Sequence, residues 1–334
     1  MENNEVILRK NAKQKPLLIL VLLGIFLVLT FLYLFFGTGQ PIVTQEEPSV
    51  LLIYDVLPRI IGCLLVGSAL AVSGIYIQAI FNNSLASPSI IGINAGSGFG
   101  FILISLLTTS TLVNGVLARS FGALVGGILT TLLIYCLAKA TKSSRTTLVL
   151  VGIAISTLFN SLISIVMYFN PQIVADKIAF NLGSLSGISY TKLLIPGPII
   201  LVFLILAIIN AKNLDVLTLG DEHAHSLGMN VKAVRFYSLI IASVLAASAV
   251  AISGLIGFLG LIVPHIIRRL VGVKSYRRLT ILSISFATDL MLLCDFISKL
   301  LYGIPVGIFL SIIGIPFFIY LIFSKPRRNR YDPD

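Results

Sequence analysis

Few residues in this chain could do chemistry, and most of those sit where charge is costly. Asp289 lies near the middle of a continuous apolar run. An unpaired carboxylate there is expensive, so it marks either a hydrogen bond across a helical bundle or a proton or ion relay. Asp295 and Lys299, further along the same run, are spaced i, i+4 and are expected to pair with each other on one helix face. Asp221, Glu222, His223 and His225 share one short polar segment, where they lack metal-ligand spacing and read as solvated. Cys63, Cys136 and Cys294 all fall inside apolar runs, in odd number, and are expected to be buried and structural. The chain has no G-x-x-x-x-G-K-[ST] phosphate loop, no H-E-x-x-H and no G-x-S-x-G. It is therefore expected not to bind ATP by a phosphate loop and not to be an enzyme. No catalytic residue, metal or cofactor is assigned to it.

The elements that hold these residues are membrane helices. Of 334 residues, 57% are hydrophobic and 11% charged, whereas a soluble domain carries about 25% charged residues. Ten apolar runs read as spans: 17–36, 59–80, 90–107, 114–137, 147–169, 193–210, 236–254, 255–267, 279–301 and 305–323. The runs are continuous, not alternating, which excludes an outer-membrane barrel. The first run is longer than a signal-peptide core and is followed by no A-x-A site, so it reads as a retained span. The net charge of +11 follows from sidedness, not from a nucleic-acid groove. Nineteen of the 24 Lys and Arg residues fall on one side of a ten-span alternation. The other five, Arg59, Arg119, Lys177, Lys192 and Lys299, fall on the opposite side or at its span ends. By the positive-inside rule both termini are then cytoplasmic, in a multi-pass protein of the cytoplasmic (inner) membrane surrounded by lipid.

An internal repeat links the two halves. Ser68-Ala69-Leu70-Ala71-Val72-Ser73-Gly74 recurs as Ser248-Ala249-Val250-Ala251-Ile252-Ser253-Gly254. Pro88-Ser89-Ile90-Ile91 resembles Pro264-His265-Ile266-Ile267, and Val151-Gly152-Ile153 with Ser156 resembles Val306-Gly307-Ile308 with Ser311. The order is kept, so spans 2–5 correspond to spans 7–10. Span 2 runs inward and span 7 outward, which makes the repeat inverted, as in many transporters. Gly62, Gly67, Gly74, Gly92, Gly96, Gly98 and Gly100 crowd spans 2 and 3 and favour close helix packing. The longest inner loop, within 211–235, carries Asp221 and Glu222 where a helix would start and Gly228 where it would stop. One short helix bounded by glycines is expected there, a natural docking knob for a partner.

In order along the chain, these residues resemble the FecCD-type permeases, the membrane subunits of ABC importers for iron–siderophore, haem and vitamin B12 complexes. The resemblance rests on several stretches. Leu57-Pro58-Arg59 with Leu65-Val66-Gly67 opens span 2. Gly74 and Gln78 lead to Asn83, Leu85-Ala86-Ser87-Pro88 and Gly92-Ile93-Asn94-Ala95-Gly96. Leu182-Gly183-Ser184-Leu185 follows, and then Leu219-Gly220, Ala224 and Leu227-Gly228. Gly257 to His265 with Arg268, and Pro305-Val306-Gly307-Ile308 with Gly314-Ile315-Pro316-Phe317-Phe318, complete it. The chain departs from the pattern at Val56, Ser84 and Phe180, where relatives carry Arg, Pro and Trp, and Asp289 is not part of the pattern.

The resemblance implies an all-α, single-domain type II permease over 1–334, with cytoplasmic tails at 1–16 and 324–334. It implies a second permease copy or paralogue, an ATP-binding cassette ATPase that holds ATP and Mg, and an extracytoplasmic binding lipoprotein or periplasmic protein. Nucleic acid is no partner. Leu219, Gly220, Asp221, Glu222, Ala224, Leu227 and Gly228 would couple to the ATPase, and Arg59 would meet the binding protein. Spans 5, 8 and 10 would lie near the pathway. The cargo class stays open among siderophore, haem and cobalamin complexes. The competing reading is an ion-coupled secondary transporter that uses Asp289.

Overall fold

The computed structural model describes residues 21–36, 47–108, 113–140, 145–272 and 275–323; the expected tails 1–16 and 324–334 lie outside them. Among the described residues every regular element is a helix. They are α1 Val21–Phe36 and α2 Pro48–Phe81, then α3 Ile93–Leu107, α4 Val113–Ala140, α5 Arg145–Phe169 and α6 Val174–Leu182. After these come α7 Pro196–Leu217, α8 Asp221–Ser226, α9 Val231–Ser253, α10 Leu259–Val271, α11 Tyr276–Leu300 and α12 Val306–Phe323. Each of the ten expected runs holds a helix among its described residues. Among the described residues six helices, α2, α4, α5, α7, α9 and α11, are long and apolar enough to cross a membrane, and α1, α3 and α12 are shorter apolar helices.

Local chemistry explains the breaks. Pro58 has no N–H to offer the carbonyl four residues back, and the turn just before it, Leu52–Val56, widens to π geometry. Asn82 ends α2 in the left-handed region at φ 49°, and the Asn83 side chain accepts from the Leu85 N–H at 2.9 Å. Spans 7 and 8 were expected to abut at residue 255. Instead Gly254 (φ 71°) and Phe258 (φ 64°) turn the chain, and α10 starts only at Leu259. The expected loop 211–235 is also shorter. Leu214 and Leu217 are buried, so α7 runs on to Leu217, and only residues 218–230 connect it to α9. Helix α6 was not anticipated; its buried side is carried by Lys177 and Phe180, too few positions for a periodic signal. Cys63 and Cys294 are buried as expected, but Cys136, on α4, is exposed.

The core sits around α2 and α9, which are mostly buried. Small residues set their spacing. A Cβ added to Gly74 would land on the Gly260 carbonyl, so α2 and α10 touch backbone to backbone. Gly96 and Gly100 of α3 face Gly122 and Gly126 of α4 in the same way. The α2–α11 contact also reappears with the halves exchanged. Gly67 packs on Ala287, and Ala247, its counterpart in the repeat, packs on Gly127 of α4. An inverted repeat produces this exchange.

Gly74→Leu is expected to abolish recovery of monodisperse protein from detergent, because the Gly260 backbone cannot yield. Gly24→Leu, on α1 with nothing within 4 Å of an added Cβ, is expected to leave yield and thermal stability unchanged. Equal behaviour of the two variants in size-exclusion chromatography would contradict the packing.

Candidate functional site

At one end of the bundle, α8 is bounded by two glycines. Gly220 adopts φ 106° and Gly228 φ 80°, both in the region that disfavours side chains. Ala224 is fully buried beneath the helix, while Leu219 (59%) and Leu227 (67%) are exposed on either side of it. The helix is also anchored. Arg235 of α9 donates from Nη2 to both Asp221 oxygens, at 2.7 and 2.8 Å. Asp221 is thus turned to α9 as well as to the surface, and Glu222 is exposed. One turn before α8, Asp215 Oδ1 accepts from the Tyr276 N–H at 2.7 Å and so ties the end of α7 to the start of α11. These bonds tie α8 to α9 and the end of α7 to α11.

The opposite end departs from two expectations. Asp295 does not pair with Lys299. It accepts from Arg59 Nε at 2.8 Å and Nη2 at 3.0 Å, and the Tyr33 hydroxyl of α1 donates to it as well. Lys299 turns instead to Asp55, in the π turn of α2. The physical reason is burial. Asp295 is fully buried and needs a partner that is buried too, which the fork of Arg59 supplies from α2. Arg59, expected at the surface for the binding protein, is only 4% exposed. Its charge is spent inside the bundle on Asp295. The sequence carried a signal for this network only in part, because i, i+4 spacing favours the nearest partner and says nothing of a partner 236 residues away. Tyr54 and Tyr302 are exposed.

Asp289 is 5% exposed, and neither carboxyl oxygen has a hydrogen-bond partner. The expected relay needs a chain of groups, and none meets this carboxyl among the described residues. Lys177 of α6 is nearly as buried, its ammonium 5.3 Å from the Phe180 ring centre. Burial pushes that amine below the usual lysine range.

Helix α5 differs from the rest. Only 11% of its apolar window is buried, yet its exposed face is not purely apolar. Thr157, Asn160, Ser161, Ser164 and Tyr168 form one exposed stripe at helical spacing. The hydroxyls of Thr157, Ser161 and Ser164 donate to carbonyls four residues back at 2.9 Å, which a lipid-facing helix tolerates. The Asn160 amide has no such bond, and exposing it to a medium that cannot hydrogen-bond costs roughly 4–8 kcal/mol. This face is built to meet water or another chain. Sequence reading named span 5 only through the family resemblance; Asn160 inside an apolar run was the signal available.

Comparison with known proteins accords with this geometry. The FecCD transport family profile matches residues 16–324. The hemin transport system permease HmuU of Yersinia pestis is 34% identical over 80% of this chain and 82% of its own length. The iron(3+)-hydroxamate import permease FhuG of Bacillus subtilis is 34% identical over 94% of this chain and 98% of its own. A solved structure of an inward-facing metal-chelate type ABC transporter is 29% identical and superposes with a TM-score of 0.84, over 93% of this chain and all of that one.

Removing Arg59 strands a buried carboxylate, so Arg59→Met is expected to cost about 3–5 kcal/mol. The double variant Arg59→Met, Asp295→Leu is expected to recover most of that loss. Chemical unfolding of the purified protein in micelles measures both. Equal losses in single and double variants would show that the pair is not coupled.

Proposed function

The chain belongs to the FecCD transport family, and on that footing we propose that it is the transmembrane permease subunit of an ABC importer. Its cargo is a ferric-siderophore or a related iron, haem or cobalamin complex, carried into the cytoplasm. ATP and Mg belong to a separate ATPase subunit, and this chain is not itself an enzyme. A second copy or a paralogue completes the pathway, and both termini lie in the cytoplasm.

The observation that carries the reading is the polar stripe of α5. A single chain with an unpartnered Asn160 amide at its surface is incomplete in hydrocarbon. Facing a water-filled pathway between two permeases removes the cost. The family architecture, in which spans 5, 8 and 10 flank the pathway, supports the same assignment. At the outer end the binding protein meets a surface that carries Tyr54, Tyr302 and the Asp55–Lys299 pair. Arg59 takes no part.

Coupling runs through the knob at the inner end. Leu219 and Leu227 are the apolar contacts for a groove on the ATPase, with Gly220 and Gly228 setting the angle of α8. Closure of the ATPases moves α8, and the Asp221–Arg235 and Asp215–Tyr276 bonds pass that movement to α9 and α11. The ion-coupled reading loses its support, since Asp289 has no relay partner and the family is one of ATP-driven importers.

Gly220→Pro and Ala224→Asp are expected to abolish ATP-driven uptake while leaving membrane insertion intact. Proline cannot reach φ 106°, and a carboxylate cannot occupy the fully buried Ala224 site. Uptake of labelled iron chelate by cells producing each variant checks this, and normal uptake by either would remove the coupling role.

A further inference from the structure

Helices α3 and α4 leave a groove between them. Gly96 and Gly100 meet Gly122 and Gly126 backbone to backbone, so no side chain of these four positions fills the seam. Larger side chains flank it. Leu103 of α3 and Phe121, Leu129 and Leu133 of α4 line the groove and are exposed. The groove has a volume of about 420 Å³. Among the described residues that line it, only Thr130 has a polar side chain. Its hydroxyl donates to the Gly126 carbonyl at 2.7 Å. A buried water needs roughly two to four polar partners, and this lining offers hardly any.

The dimensions select the occupant. From Phe121 to Leu133 the groove follows α4 for about 18 Å, at about 1.5 Å per residue. Its mean cross-section is then about 23 Å², a channel about 5 Å wide. A helix with its side chains is about 10–12 Å across, twice too wide. A single hydrocarbon chain fits, and one leaflet of the bilayer core, about 15 Å deep, supplies chains of this length. In line with the groove, three residues before Gly122 on the same face of α4, stands Arg119. Its side chain is 19% exposed and lies 3.6 Å, from Nη1, from the Asp176 carboxylate, which is 41% exposed. Nη2 donates to the Thr108 carbonyl at 3.4 Å. Both contacts are long, so the guanidinium has capacity for a phosphate. The Asp176 carboxylate favours an ammonium beside that phosphate over a second negative charge. We propose that the α3–α4 groove binds one acyl chain of a zwitterionic aminophospholipid, with the phosphate on Arg119 and the ammonium toward Asp176. The site requires only that α4 crosses the membrane, which its length and composition allow.

The test is native mass spectrometry of the purified full-length protein, delipidated in mild detergent and titrated with phosphatidylethanolamine, phosphatidylglycerol or inorganic phosphate. Wild type is expected to hold one phosphatidylethanolamine about tenfold more tightly than phosphatidylglycerol, and to bind no inorganic phosphate at the same concentration. Val125→Trp and Leu103→Trp fill the groove from its two helices, and each is expected to weaken that binding about tenfold. Arg119→Gln is expected to weaken it by about the same factor. Leu201→Trp, at an exposed position of α7 that does not line the groove, is expected to change nothing. No retained lipid, or equal retention by wild type and both groove-filling variants, overturns the site. Phosphatidylglycerol held as tightly, phosphate bound alone, or Arg119→Gln without effect overturns the headgroup assignment. Loss of the lipid when a second permease chain associates would show that protein covers the groove, and would overturn the proposal too. Size-exclusion behaviour and thermal unfolding verify that each variant is folded, and the two helices supply independent variants should one fail.

Discussion

Hydrocarbon offers no hydrogen bonds, and every polar group in this chain has to answer to that. Helices follow, because only they satisfy the backbone within one segment. The Ser and Thr hydroxyls on α5 donate back to the carbonyls of their own helix. The same constraint pulls Arg59 inward to Asp295, since a fully buried carboxylate without a fork of N–H groups would be costlier than any surface role for the arginine. Tyr33 then joins the pair and ties α1 to the bundle. Several buried groups among the described residues break the rule, among them the hydroxyls of Ser97, Ser248 and Ser283 and the Asp289 carboxyl, none of which has a hydrogen-bond partner.

The two ends of the bundle are built differently for different tasks. The inner end projects a knob whose polar side is fixed by Arg235 and whose apolar flanks are left bare. Chelates as unlike as those of the hemin and hydroxamate relatives pass through permeases of one family.

The long apolar helices were legible because continuous apolar runs are a property of local sequence alone. The inner knob was legible too, since acidic residues at a helix start and glycines at its bounds act locally. The ion pairs were not. Asp295 with Lys299 is the correct reading of one helix face, but burial against α2 overrode it, and no spacing rule reaches across 236 residues. The same long-range packing hid the shortened loop after Leu217 and the delayed start of α10. Both depend on which side chains the neighbouring helices cover. Asn160 was visible as a letter, but its exposure was not.

The central claim is that ATP hydrolysis on a separate subunit drives cargo past α5. The direct measurement is uptake of a labelled iron chelate into proteoliposomes with no ion gradient, holding this chain with or without its ATPase and binding protein. The account predicts uptake only when the ATPase and ATP are present. Uptake by this chain alone, driven by an imposed proton gradient and indifferent to ATP, would contradict it.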